Sequence, residues 1–318
     1  MGYLSRADRL ERRKDPSLIL NNAKTIIVTS LFYWPGLSGF SELHAVENHE
    51  KKDSDRGVVS CYAWGVDYHK VLEQKLKALA QWTTTRAGGT GKFYVDTGAI
   101  LERDLGERSG LGFVGKNTLL IHPRLGSGFF IGELFSTLDL PLDEGIGGRI
   151  GCGKCRKCMV ACPTDAIVDE RVLDARKCIS YLTIELKESI PVELRKGMGN
   201  KVYGCDICQQ VCPWNKFDWD GGEKGKSPLF GSPPKEVTSP KLLELLKLND
   251  EEFAARFEGS AIKRIGRDRM ARNAAVALGN VANLSHLPEL IKVAKNDKSA
   301  LVREHSQWAC DEIHVRCG

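Results

Sequence analysis

The chain has 318 residues, 42% of them hydrophobic and 27% charged, with a formal net charge of +5. This is the balance of an ordinary soluble globular protein with material for roughly two or three domains. No run of about eighteen apolar residues exists, so no membrane partner is expected, and the mild basic excess argues only weakly for a polyanion.

Residues 5–15 read as a charged helix closing on Asp15-Pro16, in which Arg9, Arg12, Arg13 and Lys14 form either a solvated face or an edge for phosphate. Thr25–Tyr33 is β-branched and aromatic between Asn21-Asn22 and Pro35-Gly36, the pattern of a buried strand. The polar stretch 36–57 is long for a connection, and such loops are uncommon unless functional or mobile. Val58–Ala63 reads as a short strand, and a helix follows with Val71, Leu72, Leu76, Leu79 and Ala80 inward. Lys92–Gly98 is a third strand. Strand, helix and strand in alternation predict an α/β layer, with Asp96 near a strand end, where open α/β sheets carry their ligands.

From Leu101 the chain is rich in glycine (Gly110, Gly112, Gly115, Gly126, Gly128, Gly132), which permits close approach of backbone to a ligand. Neither a GxGxxG after a strand nor a Walker loop is present, so no nucleotide fingerprint is supported.

Eight of the eleven cysteines fall within sixty-one positions. Cys152, Cys155, Cys158 and Cys162 have the two-two-three spacing of bacterial ferredoxins, ending before Pro163, and Cys178, Cys205, Cys208 and Cys212-Pro213 follow. In that motif the fourth cysteine leaves to serve another cluster. Cys152, Cys155 and Cys158 therefore take Cys212 as their distant ligand, while Cys162 joins Cys178, Cys205 and Cys208. Two 4Fe-4S clusters use all eight. Structural zinc is disfavoured because it wants four ligands from two spaced pairs. Disulfides are disfavoured because no signal peptide opens the chain. Cys310 and Cys317 read as buried apolar cysteines of a helix.

Residues 220–234 form a Gly- and Pro-rich linker, beyond which everything reads as helix. Segments starting at Arg272 and Arg303 recur thirty-one positions apart, with Pro288 between them, a weak signal of HEAT-type repeats. Lys263, Arg264, Arg267, Arg269 and Arg272 place five positive charges within ten residues, opposed by Asp268 alone. Charge alone reads this as a solvated helix face.

Taken together, VDTGAILER from Val95, GFVGKNTLLI from Gly112, CGKCRKCMVACPTDAI from Cys152, RKCISYLTIE from Arg176 and YGCDICQQVCPWN from Tyr203 resemble the epoxyqueuosine reductases. The resemblance implies cobalamin and two 4Fe-4S clusters acting to remove the epoxide oxygen of epoxyqueuosine at the tRNA wobble position. The implied fold is an α/β cobalamin-binding domain over 1–147, a ferredoxin-like two-cluster module over 148–219, the linker, and a C-terminal α-helical HEAT-like domain over 235–318. Asp96 would be the proton donor beside the corrin. Cys61, Lys116, Asn117, Ser127, Gly128, Phe129, Phe130, Ser180 and Thr183 would line cobalamin or its tail. Family members carry several dozen residues ahead of the MGYL-like segment, so an N-terminal piece of the cobalamin domain is expected to be absent.

The chemistry fits the inventory. Reducing a carbon–oxygen bond needs a strong one-electron reductant and a proton, which a carboxyl at a strand end delivers if a dry, apolar surrounding raises its pKa. With tRNA as substrate, Lys263, Arg264, Arg267 and Arg269 become candidate phosphate contacts. An external low-potential electron donor, a cytoplasmic location and a monomeric state complete the expectation. The rival is a reductive dehalogenase-like enzyme acting on small organohalides. A plain ferredoxin-type carrier needs only about sixty residues and leaves the glycine-rich half unexplained.

Overall fold

The computed structural model describes residues 6–34, 55–143, 150–216 and 233–318. Most of the 36–57 loop and of the 220–234 linker lies outside the described residues. Helix α1 (Ala7–Lys14) precedes strand β1 (Thr25–Phe32), and a two-residue strand β2 follows at Val58–Val59. The predicted strand to Ala63 stops there because Cys61–Ala63 turns into a 3-10 helix.

Helix α2 (Tyr68–Ala87) opens at Asp67, whose carboxylate accepts from the His69 amide, and ends at Gly88 with φ of 75°. Strand β3 (Gly91–Tyr94) and helix α3 (Glu102–Arg108) lead through the glycine-rich segment to strand β4 (Phe129–Ser136). The sheet order is β1-β4-β3, with β4 antiparallel to both neighbours. The strands and helices alternate as expected, but the strands pair antiparallel, so the rule that ligands sit at the ends of parallel strands does not apply. Asp96 lies two residues past β3 and is placed instead by its own left-handed backbone, φ 56°.

Strand alternation on β4 divides the sheet faces. Phe130, Gly132 and Leu134 face α2, where a Cβ on Gly132 would come within 2.8 Å of Leu76. Phe129, Ile131, Glu133 and Phe135 face the other way, and α3 packs on β4.

The cysteine-bearing segment is built from short helices, α4 (Lys157–Ala161), α5 (Ile179–Ile184) and α6 (Ile207–Gln210), with strand β5 (Lys201–Tyr203) between the last two. β5 pairs in parallel with β2 and so ties this segment to the N-terminal half. Beyond the linker come α7 (Leu242–Lys247), α8 (Gly266–Val281), α9 (Leu287–Asn296) and α10 (Ala300–Cys317). Pro288 occupies the first turn of α9, where its missing N–H costs nothing. α8 is buried from Met270 to Gly279 and packs against α7, α10 and β5. One core runs from Trp34 and Val59 through Tyr203 to Leu246, Ala274 and Ile313, crossing all three predicted parts. Cys310 is buried as expected, whereas Cys317 at the last turn is exposed.

Candidate active site

The eight clustered cysteines converge on two cavities. Cys152, Cys155, Cys158 and Cys212 line one of about 370 Å³, walled by Ile121, Pro213 and Trp214. Cys162, Cys178, Cys205 and Cys208 line another of about 320 Å³. These are the two sets that the motif spacing predicts. Burial pushes the Cys212 thiol up to about 11, and the neighbouring Cys152, Cys158 and Cys155 push it further in the same direction. Burial likewise takes Cys205 up to about 12. Crowded thiols of this kind become thiolates only against a cation, so the donor set suits a cationic iron–sulfur cluster. Backbone amides already point at the sulfurs, from Lys116 to Cys152 at 3.4 Å and from Ala166 to Cys162 at 3.3 Å.

Asp96 sits in a third and larger cavity of about 660 Å³ with Arg9, Arg13, Glu102, Arg103 and Arg264 among its walls. Its Oδ2 accepts from the Tyr68 hydroxyl at 2.6 Å and lies 3.3 Å from His69 Nε2. His69 Nδ1 is in turn 2.8 Å from Asp67. The hydrogen bond with His69 holds the Asp96 carboxyl below its usual range, against the upward effect of burial. For His69 burial opposes the charged ring, but bonding to Asp96 and Asp67 outweighs it and its pKa lies above the ordinary value. The expectation of a carboxyl raised by an apolar surrounding is therefore corrected: Asp96 lies below its ordinary value and His69 above, each favouring the charged form of the other. Tyr68 and His69 are missing from the sequence reading, and their only signal there was a polar Asp-Tyr-His run at a helix start.

Asn117 lines both cysteine cavities, and Arg103 lines both the second of them and the Asp96 cavity. The three spaces thus adjoin in a fixed order.

Comparison with known proteins agrees with this arrangement. Residues 151–215 match the family model for a 4Fe-4S double cluster binding domain, and residues 13–97 match the model described as epoxyqueuosine reductase QueG, DUF1730. Epoxyqueuosine reductase of Pseudomonas aeruginosa is 40% identical over 94% of this chain and 79% of its own length. The Escherichia coli epoxyqueuosine reductase is also 40% identical, over 97% of this chain and 77% of its own. The chain belongs to the epoxyqueuosine reductase family. A crystal structure of an epoxyqueuosine reductase with an epoxyqueuosine-modified tRNA-Tyr stem loop superposes with a TM-score of 0.82 at 33% identity, over 96% of this chain and 77% of that one.

The residues expected to line cobalamin in an epoxyqueuosine reductase fall into two groups. Asn117 and Ser180 face the second cysteine cavity, as do Ser60 and Tyr62 on either side of Cys61. Cys61 itself is buried behind them, and its amide donates to Asp206 at 2.8 Å. Asp206, between two ligand cysteines of the CDIC run, also accepts from Ser60 Oγ at 2.5 Å and was overlooked in the sequence. The other residues brace this wall. Ser127 is held by Asn215 and Gln209, which fixes the glycine turn to the Cys208–Cys212 arm. Gly126 has φ of 73°, and a Cβ there would meet Asn215 Oδ1 at 2.0 Å. Gly128 lies against Trp34, Phe129 is buried, and Phe130 stacks on Tyr68 at 4.0 Å. Thr183 donates to the Ile179 carbonyl and accepts from the Gly204 amide, while Lys116 pairs with Glu170 at 2.6 Å beside the first set.

The basic run of this chain is not one solvated face. Arg267 is buried in a two-pronged pair with Asp297. Arg269 donates to the carbonyls of Ile184, Ile265 and Arg264. Arg272 is wholly buried and donates to Leu182, Leu186 and Glu188. The phosphate role expected of Arg267 and Arg269 therefore does not fit, because these guanidiniums spend their donors on helix ends. Lys263 and Arg264 remain half exposed at the cavity mouths, paired with Glu258 and Glu185.

Proposed function

We propose that this chain is the oxidoreductase that converts epoxyqueuosine to queuosine at the wobble position of tRNA. The observation that carries the reading is the order of the cavities: first cysteine set, Asn117, second cysteine set, Arg103, Asp96. Electrons enter at one end of this series and protons wait at the other. Removing the epoxide oxygen breaks two carbon–oxygen bonds and forms an alkene, consuming two electrons and two protons and releasing water.

Cys152, Cys155, Cys158 and Cys212 would hold one 4Fe-4S cluster and Cys162, Cys178, Cys205 and Cys208 the other, and bound clusters supply one-electron carriers. Arg103, shared by the second cysteine cavity and the 660 Å³ Asp96 cavity, would hold cobalamin on the Asp96 side, with Tyr62, Asn117 and Ser180 at its cluster-facing edge, and cobalamin when bound supplies the strong reductant that a carbon–oxygen bond requires. His69 and Asp96 hold one proton at the reacting end, and Tyr68 fixes the carboxylate that directs it. Lys263 and Arg264, at the mouth, would meet phosphates of the RNA and set its register. We take residues 1–147, 148–219 and 235–318 as the reducing, relay and scaffold parts of a cytoplasmic monomer fed by an external low-potential donor.

The test is direct. Anaerobic protein should carry close to eight iron atoms per chain, and Cys205→Ser should lose the second cluster while keeping the first. Given cobalamin and a reductant, the wild type should convert epoxyqueuosine to queuosine in tRNA, read by nucleoside analysis. Stoichiometric zinc in place of iron, or an unchanged nucleoside, would overturn the reading.

A further inference from the structure

Behind Asp96 lies a second pair of acids, one buried in the sheet and one on α3. Glu133 stands in the middle of β4, opposite Val28 of β1 and Tyr94 of β3, on the face that α3 covers. It is 0% exposed, and neither of its carboxyl oxygens has a hydrogen-bond partner. Glu102, at the start of α3, lines the Asp96 cavity, and its Oε1 is likewise buried without a partner. The Asp96 amide bonds the Glu102 carboxyl, and Glu102, Glu133 and Asp96 all feel one another's charge.

Glu133 has neither solvent nor a polar partner, so its neutral form is favoured, and a charge on Glu102, on the helix that packs against β4, favours it further. Arg9, Arg13 and Arg264 line the Asp96 cavity with Glu102, whereas the charges that act on Glu133 are those of Glu102 and Asp96. Arg103 lies beside Glu102 but donates to the Thr118 carbonyl at 2.5 Å, and His69 is committed to Asp96 and Asp67. Lys92 on β3 donates to the Ile19 carbonyl at 3.3 Å, and Asp104 on α3 pairs with Arg108 at 3.8 Å. Burial, with Glu102 and Asp96 nearby, lifts Glu133 to about 9, and burial with Asp96 lifts Glu102 to about 7.

We propose that Glu102 and Glu133 form a carboxyl pair that keeps a proton inside the site and delivers it, through Glu102, as the second proton of the reduction. This rests on the reaction proposed above, which needs two protons while the His69–Asp96 pair holds one. Glu102 lines the Asp96 cavity, so a proton kept on the pair stands beside the reacting end. In that step a carboxyl O–H bond of the pair breaks and an O–H bond of the departing water forms, the electrons having come through the cysteine-held carriers. Glu102 faces the open cavity and takes a proton back from water once the RNA leaves. Glu133 touches no substrate; it acts through Glu102 as a positioning residue.

Infrared spectroscopy of the cluster-loaded protein at pH 8 should show a protonated-carboxyl band that shifts in heavy water, persists in Glu102→Gln and is lost in Glu133→Gln. With an epoxyqueuosine anticodon stem-loop, both variants should lower kcat at least about tenfold at unchanged KM. Iron content equal to wild type serves as the folding control. An active wild type without the band, or a Glu102→Gln variant with wild-type kcat, overturns the carboxyl pair alone. An inactive wild type with the band intact overturns the proton delivery together with the proposed reaction.

Discussion

Asp96 and His69 act as one titrating unit, and its sign follows from the direction of each shift. Asp96 lies below its ordinary value, so its contribution to stability is present above that ordinary value and is lost as pH falls through the lowered one. His69 lies above its ordinary value, so its contribution is complete below that value and is lost as pH rises through the raised one. The pair is therefore intact between the two shifted values. Asp96→Asn removes the anion and should drop the His69 titration, followed by imidazole NMR, while turnover falls roughly a hundredfold. An imidazole that titrates as before would show that the pair does not exist in solution. Glu133 adds a stability effect of opposite slope to that of Asp96. Its folded value of about 9 makes its contribution complete below the ordinary carboxylate value, and that contribution is lost as pH climbs toward 9. Glu133→Gln should accordingly melt near the wild type at pH 5 and above it at pH 9, in paired thermal scans.

At the scale of elements, the arginines of the α8 segment illustrate how far a charge run can mislead. Arg267 and Asp297 each keep only 7% of their side-chain surface exposed, so Arg267→Gln strands a buried carboxylate and should cost about 3 kcal/mol or more of stability. Lys263→Gln with Arg264→Gln should leave melting almost unchanged and instead weaken tRNA binding and flatten its salt dependence. Equal denaturation midpoints for Arg267→Gln and wild type would refute the structural role. The sequence could not separate these residues, because their partners are helix-end carbonyls and an aspartate 30 positions away. The grouping of the cysteines, by contrast, was legible, since seven of the eight lie in two short runs and the structure gathers the two expected sets round two cavities. Asp96 was legible as a position and not as a charge state. Tyr68, which sets that state together with His69, lies 28 residues earlier on α2, and only the packing of that helix on β4 brings it to Asp96. The strands were found at their centres and overrun at their ends, where Cys61–Ala63 and Val95–Gly98 turn out of the extended conformation.

For the molecule as a whole, the feature that matters most is the seam between α8 and the cysteine-bearing segment. Arg272 collects the carbonyls of Leu182, Leu186 and Glu188, Asn273 donates to those of Thr183 and Val202, and Asn280 donates to those of Arg195 and Gly199. Those carbonyls flank Cys178 on one side and Cys205 on the other. A ribosome releases all eight cysteines before it releases α8, whose side chains complete the hold on the segment between Cys178 and Cys205. The first cube's ligands lean instead on Phe113, Ile121 and Trp214, all translated before α8. On the proposed assignment of the cysteines, assembly has a built-in calendar, in which the first iron cube can be seated on a nascent chain and the second only on a finished one. A chain ending at residue 265 keeps all eight ligand cysteines and should retain about four irons on anaerobic purification. Eight irons in that shortened chain would show that the late helices have no part in the schedule.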